Sequence, residues 1–234
     1  MLAFICFITG NFKGFFFFSL ITIIHEFGHI IAAFFYKWHI EKVILLPFGA
    51  LTIFNEKINR PLKEEFIILI SGPLLQLIFV FIFFNNNDFV INYSNLILMF
   101  NLLPIYPLDG SKLINIILNI FTSFKKSHLL TIYVSALFII CLIIKTKFSL
   151  IFLLIFIFII NKILEEYKNH NNIFNKFLLE RYTNNFGFKK EKLIKSNNLS
   201  EMKRDYRHLF YGNNKYQTER EILKKRFDFK GKVW

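Results

Sequence analysis

Cysteine, proline and acidic residues are all scarce in this chain of 234 residues. The two cysteines, Cys6 and Cys141, lie in apolar stretches, so the sequence excludes a scaffold held together by disulfide bonds. Acidic residues number 16 against 29 lysines and arginines, which leaves a net charge of +13. Residues 1–9 are too short, and lack the basic flank, for a cleaved signal peptide. No motif for nucleic-acid binding accompanies the positive charge.

Long apolar runs dominate the sequence, in which 54% of the residues are hydrophobic. These residues occur in blocks and not at amphipathic spacing, which predicts an all-α polytopic membrane protein. The blocks cover 1–9, 15–36, 66–84, 89–106, 129–144 and 148–164. About 20 residues are needed to cross a bilayer, and the first block is shorter than that. We therefore predict about six transmembrane helices, with five as the alternative.

The basic residues are distributed unevenly along the chain. With six spans and an inner N-terminus, 26 of the 29 lysines and arginines fall on the inner side, which predicts a cytosolic C-terminus. Residues 162–234 alone hold 18 basic and 9 acidic residues. This tail is either an ordinary solvated tail or a contact for anionic lipid or an acidic partner such as the substrate. We divide the chain into a membrane domain, 1–164, and a basic cytosolic region, 165–234.

Two shorter patterns predict local structure outside the spans. Segment 42–54 is apolar but too short to cross a membrane, and it contains Pro47 and Gly49. It predicts a strand pair or a re-entrant hairpin near the membrane. An exposed strand edge there would suit an extended substrate, and a simple amphipathic hairpin is the alternative. In the tail, Thr218 and Glu221 predict a capping box at the start of a helix.

Three ionisable side chains interrupt the second apolar block. His25, Glu26 and His29 form the pattern H-E-x-x-H and are the only ionisable residues in 15–35. Such residues are costly within a membrane span and usually mark function. Residues four apart share one helix face, so the two imidazoles can bind Zn²⁺ while Glu26 serves as general base. We predict a zinc hydrolase site within the bilayer, and hence proteolysis of membrane-embedded substrates.

A catalytic zinc normally has three protein ligands, so a third must come from elsewhere in the chain. Asp109 is the candidate, because acidic residues are scarce near the apolar blocks and this one directly follows the fourth block. Pro104 and Pro107 break helical hydrogen bonding there, and Gly110 permits a close turn. The alternative is that Asp109 caps a helix that starts near Ser111.

Three motifs together resemble the site-2 protease family of intramembrane zinc metalloproteases. They are HEFGH at 25–29, SGP at 71–73 and NLLPIYPLDG at 101–110, in the order usual for that family. The resemblance covers most of 15–125. The small residues of SGP are expected to let their helix approach the helix that carries the histidines.

This resemblance implies a role for five residues. His25, His29 and Asp109 would be the zinc ligands, and Glu26 would be catalytic. Asn101 would bind the substrate backbone or the oxyanion, for which a side-chain amide is a suitable donor. The alternative for Asn101 is a hydrogen bond between helices. The remaining histidines are expected to be ordinary polar residues: His39, His128, His170 and His208.

Further segments are similar to one subfamily, that of stage IV sporulation protein FB. They are LLPFGA at 45–50, NRPLKEEF at 59–66 and YRHLFYGNNKYQTERE at 206–221. The resemblance implies regulated cleavage of the mother-cell sigma-K precursor during sporulation, in the membrane that surrounds the forespore. It also implies inhibitory membrane proteins as partners. The short tail lacks the pattern of the nucleotide-sensing domain found in better-known members, which argues against control by ATP.

Two other functions remain as alternatives at this point. One is a protease of the same family that acts on a different membrane substrate. The other is a zinc-binding membrane scaffold or transporter without proteolytic activity, which would keep the ligands but would not need Glu26.

Overall fold

The computed structural model describes residues 10–46, 49–145, 150–212 and 215–228. Within these ranges the chain is mainly helical, with two small sheets. The helices are α1 (Phe12–Phe35), α2 (Leu62–Phe84), α3 (Asp88–Asn101), α4 (Asp109–Phe121), α5 (Phe124–Lys145), α6 (Leu150–Thr183) and α7 (Glu219–Phe227). The strands are β1 (Ile40–Leu46), β2 (Gly49–Phe54), β3 (Lys190–Ile194), β4 (Tyr206–Gly212) and β5 (Lys215–Thr218), and a 3₁₀ turn covers Leu199–Glu201.

Three of the described helices, α1, α2 and α5, are long and apolar enough to cross a membrane, judged by length and composition. Large hydrophobic side chains also point outward from these helices. Phe34, Phe81 and Ile144 are each at least 70% exposed. Apolar patches of this kind are rare on soluble monomers and mark contact with another apolar phase. The chain is therefore a multi-pass membrane protein.

The predicted count of six spans is matched only in part and stays a prediction. The first block, 1–9, lies outside the described residues. The fourth block is helical only as α3, whose 14 residues extend about 21 Å, less than the ~30 Å hydrocarbon core. Pro104 and Pro107 explain the early end, because proline cannot continue the helical hydrogen bonding. The sixth block is longer than predicted, since α6 continues to Thr183 and crosses the predicted domain boundary.

The segment between α1 and α2 forms a hairpin of strands. β1 and β2 pair in antiparallel register, with Val43 opposite Thr52 and Leu46 opposite Gly49. Of the two possibilities left open by the sequence, the strand pair is therefore correct; Pro47 lies outside the described residues. β2 also contacts α1, so the hairpin packs beside the helix that carries the H-E-x-x-H pattern.

Small residues allow α1 and α2 to pack closely. A Cβ atom added to Gly28 would collide with the carbonyl group of Ser71, and one added to Gly72 would collide with the ring of His29. The Ser71 hydroxyl donates a hydrogen bond to the carbonyl of Gly28 at 2.8 Å. The SGP motif thus brings α2 against the histidine helix, as the sequence predicted.

The C-terminal part of the chain folds into a small unit that we call the C-terminal module, residues 184–212 and 215–228. β4 lies at the centre of its three-stranded sheet, parallel to β3 and antiparallel to β5. Its core residues pack on the end of α6, through side chains such as Met202, Phe210 and Phe177. The predicted capping box of Thr218 and Glu221 is present at the start of α7.

Candidate metal centre

The H-E-x-x-H residues lie on the buried face of α1. His25, Glu26 and His29 are 0%, 7% and 4% exposed. Because residues four apart face the same side of a helix, the two imidazole rings lie together, with ring centroids 4.9 Å apart. The helix itself therefore supplies two aligned nitrogen donors.

Asp109 reaches the two histidines from the start of α4. Its Oδ2 atom lies 3.2 Å from His25 Nε2 and 3.0 Å from His29 Nε2. The other oxygen, Oδ1, accepts a hydrogen bond from Lys112 Nζ at 3.2 Å. A Cβ atom on Gly110 would collide with the carbonyl group of Leu102, so glycine lets the start of α4 pack against the end of α3, although Gly110 is helical and not part of a turn.

The remaining ring nitrogens fix which tautomer each imidazole adopts when it is neutral. The amide nitrogen of Gln76 donates to the carbonyl and hydroxyl of Ser94 at 2.8 and 2.9 Å, which leaves its oxygen 2.8 Å from His25 Nδ1. His29 Nδ1 lies 2.8 Å from the carbonyl oxygen of Ile68. Both partners can only accept, so each histidine donates from Nδ1. In the neutral rings, each Nε2 therefore presents a lone pair.

With both rings neutral, three electron-pair donors converge on one point. The two Nε2 atoms and one oxygen of Asp109 lie within 4.8 Å of one another, and all three residues are buried. Such an arrangement is repulsive unless a proton or a metal cation lies at the point of convergence. Two imidazoles and a carboxylate are a ligand set that catalytic Zn²⁺ sites use, with a fourth position left for water. The residues present therefore fit a zinc ion, and no other such cluster occurs within the described ranges.

Glu26 is not one of the three converging side chains. Its Oε2 atom accepts a hydrogen bond of 2.5 Å from the hydroxyl of Thr52, which is 6% exposed. Thr52 lies on β2, so the hairpin orients the carboxylate of Glu26. This position suits a carboxylate that handles a proton near the metal and does not bind the metal itself.

Asn101 lies at the end of α3, next to the metal centre. Its amide nitrogen is 3.4 Å from His25 Nε2, the donor atom that faces Asp109. The side chain therefore borders the three converging side chains. Its role toward substrate stays a prediction.

Three residues that contact the predicted site residues were not singled out from the sequence. Gln76 could have been found, because it and Ser71 are the only polar side chains in the apolar block 66–84. Thr52 and Lys112 carry no such signal, since a threonine in a strand and a lysine in a helix are ordinary. None of the four remaining histidines belongs to the metal cluster.

A cavity of about 260 Å³ lies among α4, α5, α6 and the segment that follows β2, and it also reaches Arg204 of the C-terminal module. Its lining includes Lys112, which contacts Asp109, and Glu56. Burial alone would raise the pKa of Glu56, but hydrogen bonds from His39 and Arg60 lower it to about 2. The Glu56 carboxylate is therefore ionised, and the cavity reaches the lysine that contacts Asp109.

The hydrogen bond between Gln76 and His25 provides a test of this geometry. Replacing Gln76 with Leu removes the acceptor for His25 Nδ1–H and leaves a buried donor unpaired. We expect the affinity for zinc to fall about 10- to 100-fold, the usual loss when a partner behind a ligand is removed. Competition with a chromogenic chelator measures the change.

Two variants control this experiment. Leu77, its neighbour on α2, is 43% exposed, and its replacement with Ala should leave zinc affinity unchanged. Gln76→Glu keeps an oxygen acceptor for His25 and should bind zinc far better than Gln76→Leu. A Gln76→Leu protein that binds zinc as tightly as the wild type would show that His25 is oriented by other contacts.

Known proteins are similar to this chain in sequence. The model of peptidase family M50 matches residues 13–90, a range that includes His25, Glu26 and His29. The chain is 36% identical over 191 residues to stage IV sporulation protein FB of Bacillus subtilis (strain 168), covering 75% of this chain and 66% of that protein. It is 34% identical over 119 residues to a zinc metalloprotease of Methanocaldococcus jannaschii, covering 45% of this chain and 34% of that protein.

Among solved structures, the site-2 protease from Methanocaldococcus jannaschii is similar, with 27% identity and a TM-score of 0.46. The match covers 65% of this chain and 76% of that chain. The chain thus spans about two thirds of the length of the Bacillus relative and about a third of the archaeal relative matched by sequence. From the sequence relatives and from the donor set of the buried centre, the chain belongs to peptidase family M50, the site-2 type of zinc metalloprotease.

Proposed function

We propose that this chain is an intramembrane zinc metalloprotease that cleaves a membrane-associated precursor protein in a regulated manner. The observation that carries the proposal is the convergence of His25, His29 and Asp109, with the carboxylate of Glu26 beside them. The centre lies in the interior of a bundle whose long helices are of membrane-spanning length. A hydrolytic site at that position meets substrates that are themselves in or near the bilayer.

Five side chains of this chain have roles in the proposed reaction. His25, His29 and Asp109 would hold the metal. A bound zinc ion lowers the pKa of its water and polarises the scissile carbonyl. Glu26 accepts the proton of the attacking water and delivers it to the leaving amine. The amide of Asn101, beside His25, donates a hydrogen bond to the substrate carbonyl as negative charge develops there.

The hairpin beside Glu26 is the proposed place for the substrate backbone. A two-stranded sheet leaves one edge of each strand without a neighbouring strand among the described residues. An extended segment can add to such an edge through main-chain hydrogen bonds. Since Thr52 on β2 contacts Glu26, a substrate on this hairpin would lie close to the general base.

The similarity to stage IV sporulation protein FB supports a narrower proposal for the substrate. We propose the mother-cell sigma-K precursor as the substrate and inhibitory membrane proteins as regulatory partners. The protein would then lie in the membrane around the forespore, with its C-terminus in the mother-cell cytosol. The excess of basic residues in 162–234 agrees with a cytosolic C-terminus.

Co-expression of the chain with candidate sigma-factor precursors tests this proposal. We expect the wild-type chain to shorten the sigma-K precursor on a gel, and the Glu26→Gln chain to leave it intact. If another membrane protein is cleaved and the sigma-K precursor is not, the proposed substrate is wrong and the proposed protease activity still holds. A chain that retains zinc but cleaves none of the membrane proteins tested would favour a zinc-binding scaffold instead.

A further inference from the structure

One loop of the C-terminal module binds the ends of two membrane-domain helices. This docking loop consists of residues 202–205. The Asp205 carboxylate accepts a hydrogen bond of 3.1 Å from the backbone N–H of Leu62, the first residue of α2. Lys203 Nζ donates to the carbonyl groups of Ile120 and Phe121, at the end of α4, at 3.2 and 2.6 Å.

Each contact places a charge of the stabilising sign at a helix end. The N-terminus of a helix has unpaired N–H groups and attracts negative charge, and the C-terminus has unpaired carbonyl groups and attracts positive charge. The first turn of α2 contains Glu64 and Glu65, but these carboxylates contact the side chains of Trp38, Arg60 and Arg204. The residue that precedes α2, Pro61, makes no side-chain cap, and the last turn of α4 contains no basic residue. Asp205 and Lys203 therefore bind backbone groups at two helix ends from outside those helices.

The other two residues of the docking loop add contacts to the same region. Arg204, which is 5% exposed, donates to the Glu65 carboxylate at 2.7 Å and to the carbonyl of Arg60 at 2.8 Å. The carbonyl of Met202 accepts a hydrogen bond of 2.9 Å from the backbone N–H of Phe124 at the start of α5. All four residues of the loop thus bind the membrane domain.

A buried polar network holds the loop from the side of the module. Arg181 donates to the carbonyl of Lys203 at 2.8 Å, and the backbone N–H of Lys203 donates to His208 Nε2 at 3.0 Å. Burial lowers the pKa of His208, so the ring is neutral and able to accept. Burial would raise the pKa of Glu219, but its contacts with His208 and Arg181 hold it below the ordinary value. The ionised Glu219 therefore pairs with Arg181.

The two helices that the loop joins are those that complete the metal centre. α4 begins with Asp109, whose carboxylate faces both imidazoles. α2 carries Gln76 and the carbonyl of Ile68, which orient His25 and His29. A shift of α4 relative to α2 would therefore move the carboxylate away from the imidazoles.

We propose that Lys203 and Asp205 are positioning residues that hold α4 against α2 and thereby set the zinc affinity of the centre. This inference rests on the proposed zinc site. According to this inference, the C-terminal module contributes to the metal centre, because its docking loop fixes how closely Asp109 approaches the histidines. Loosening the docking loop would therefore weaken zinc binding at a centre that the loop does not itself touch.

Two substitutions in the full chain test the proposal. Lys203→Met keeps the length of the side chain and removes the ammonium group. Asp205→Gly removes the carboxylate and suits the backbone, because Asp205 has a φ of 58°, a conformation that glycine adopts without strain. We expect each variant to weaken zinc binding about 10-fold in chelator competition, the lower end of the range for groups behind a metal ligand.

Two exposed residues of the module serve as matched controls. Lys195→Met removes one positive charge and Glu201→Gln removes one negative charge, both away from the helix ends. Each variant should bind zinc as the wild type does. Asp205→Asn keeps an oxygen acceptor for Leu62 and should also retain affinity. In the zinc-free protein, hydrogen exchange should speed up in the first turn of α2 for Asp205→Gly, since that N–H group loses its partner.

The outcomes separate this inference from the proposed function. If hydrogen exchange speeds up but zinc affinity equals that of the control variants, the loop only attaches the module, and the inference is overturned. If Asp205→Asn loses as much affinity as Asp205→Gly, the hydrogen bond to Leu62 is not the cause. If the wild-type chain itself binds no zinc, the proposed metal centre is wrong and the inference falls with it.

Discussion

Replacement of Glu26 by Gln is expected to lower the rate of peptide cleavage about 10²- to 10⁴-fold while the protein keeps its zinc. Glutamine has the size of glutamate and can still accept the hydrogen bond from Thr52, but its amide cannot take a proton from water. Zinc is retained because Glu26 is not one of the three converging donors. Cleavage of a membrane substrate in vesicles gives the rate, and elemental analysis gives the zinc content.

A matched substitution separates the role of Glu26 from the loss of one negative charge. Glu165 lies on α6 with a side chain that is 61% exposed, and Glu165→Gln should leave the rate unchanged. A Glu26→Gln protein that keeps both its zinc and its full cellular function would contradict proteolysis. That outcome would support the non-proteolytic scaffold or transporter, which needs the ligands but no general base.

The metal centre could be predicted from the sequence because its parts are local or rare. His25 and His29 are one helical turn apart, so any helix through this segment aligns them. Asp109 is 80 residues from His29, and no local rule joins the two. Its assignment depended on the scarcity of acidic residues near the apolar blocks and on the resemblance of the surrounding motif. The structure then brings its carboxylate within 3.0 Å of His29.

The contacts around the centre could not be predicted in the same way. Gln76 orients His25, and Thr52 contacts Glu26, but each pair is joined only by the packing of different elements. A hydrogen bond of this kind leaves no period or spacing in the sequence. The hairpin shows the same limit. Its composition indicated two strands or a re-entrant segment, and only the pairing of β1 with β2 decides between them.

The C-terminal module was the part of the fold that the sequence indicated least. Only its last helix and the capping box at the start of that helix were predicted, since the capping motif spans four residues. Its core is built from residues scattered over α5, α6, two strands and α7, including Phe124, Phe177 and Phe210. Charged and amide residues lie between them, so the segment looks like a solvated tail. The loop that caps α2 and α4 has no sequence signature of its own, because capping by a distant residue depends on the tertiary fold.

Replacement of Asp109 by Asn is expected to weaken zinc binding more than 100-fold and to abolish cleavage. The loss should exceed the roughly 10- to 100-fold effect of residues that only orient a ligand, because a charged ligand is removed from a site with three. The substitution places a neutral amide where the two Nε2 atoms converge. Zinc affinity by chelator competition and turnover by the vesicle assay both report the effect.

Asp88 offers a control for the alternative role of Asp109 as a helix-terminus residue. Each aspartate is the first residue of its helix, α3 for Asp88 and α4 for Asp109, and each carboxylate favours the helix N-terminus by about 0.3–1 kcal/mol. Asp88→Asn removes that contribution at an exposed site and should leave zinc binding intact. If Asp109→Asn behaved like Asp88→Asn, Asp109 would serve only its helix, and the metal would have to find its third ligand elsewhere. A large difference between the two variants would assign the carboxylate to the metal, because the helix contribution is common to both.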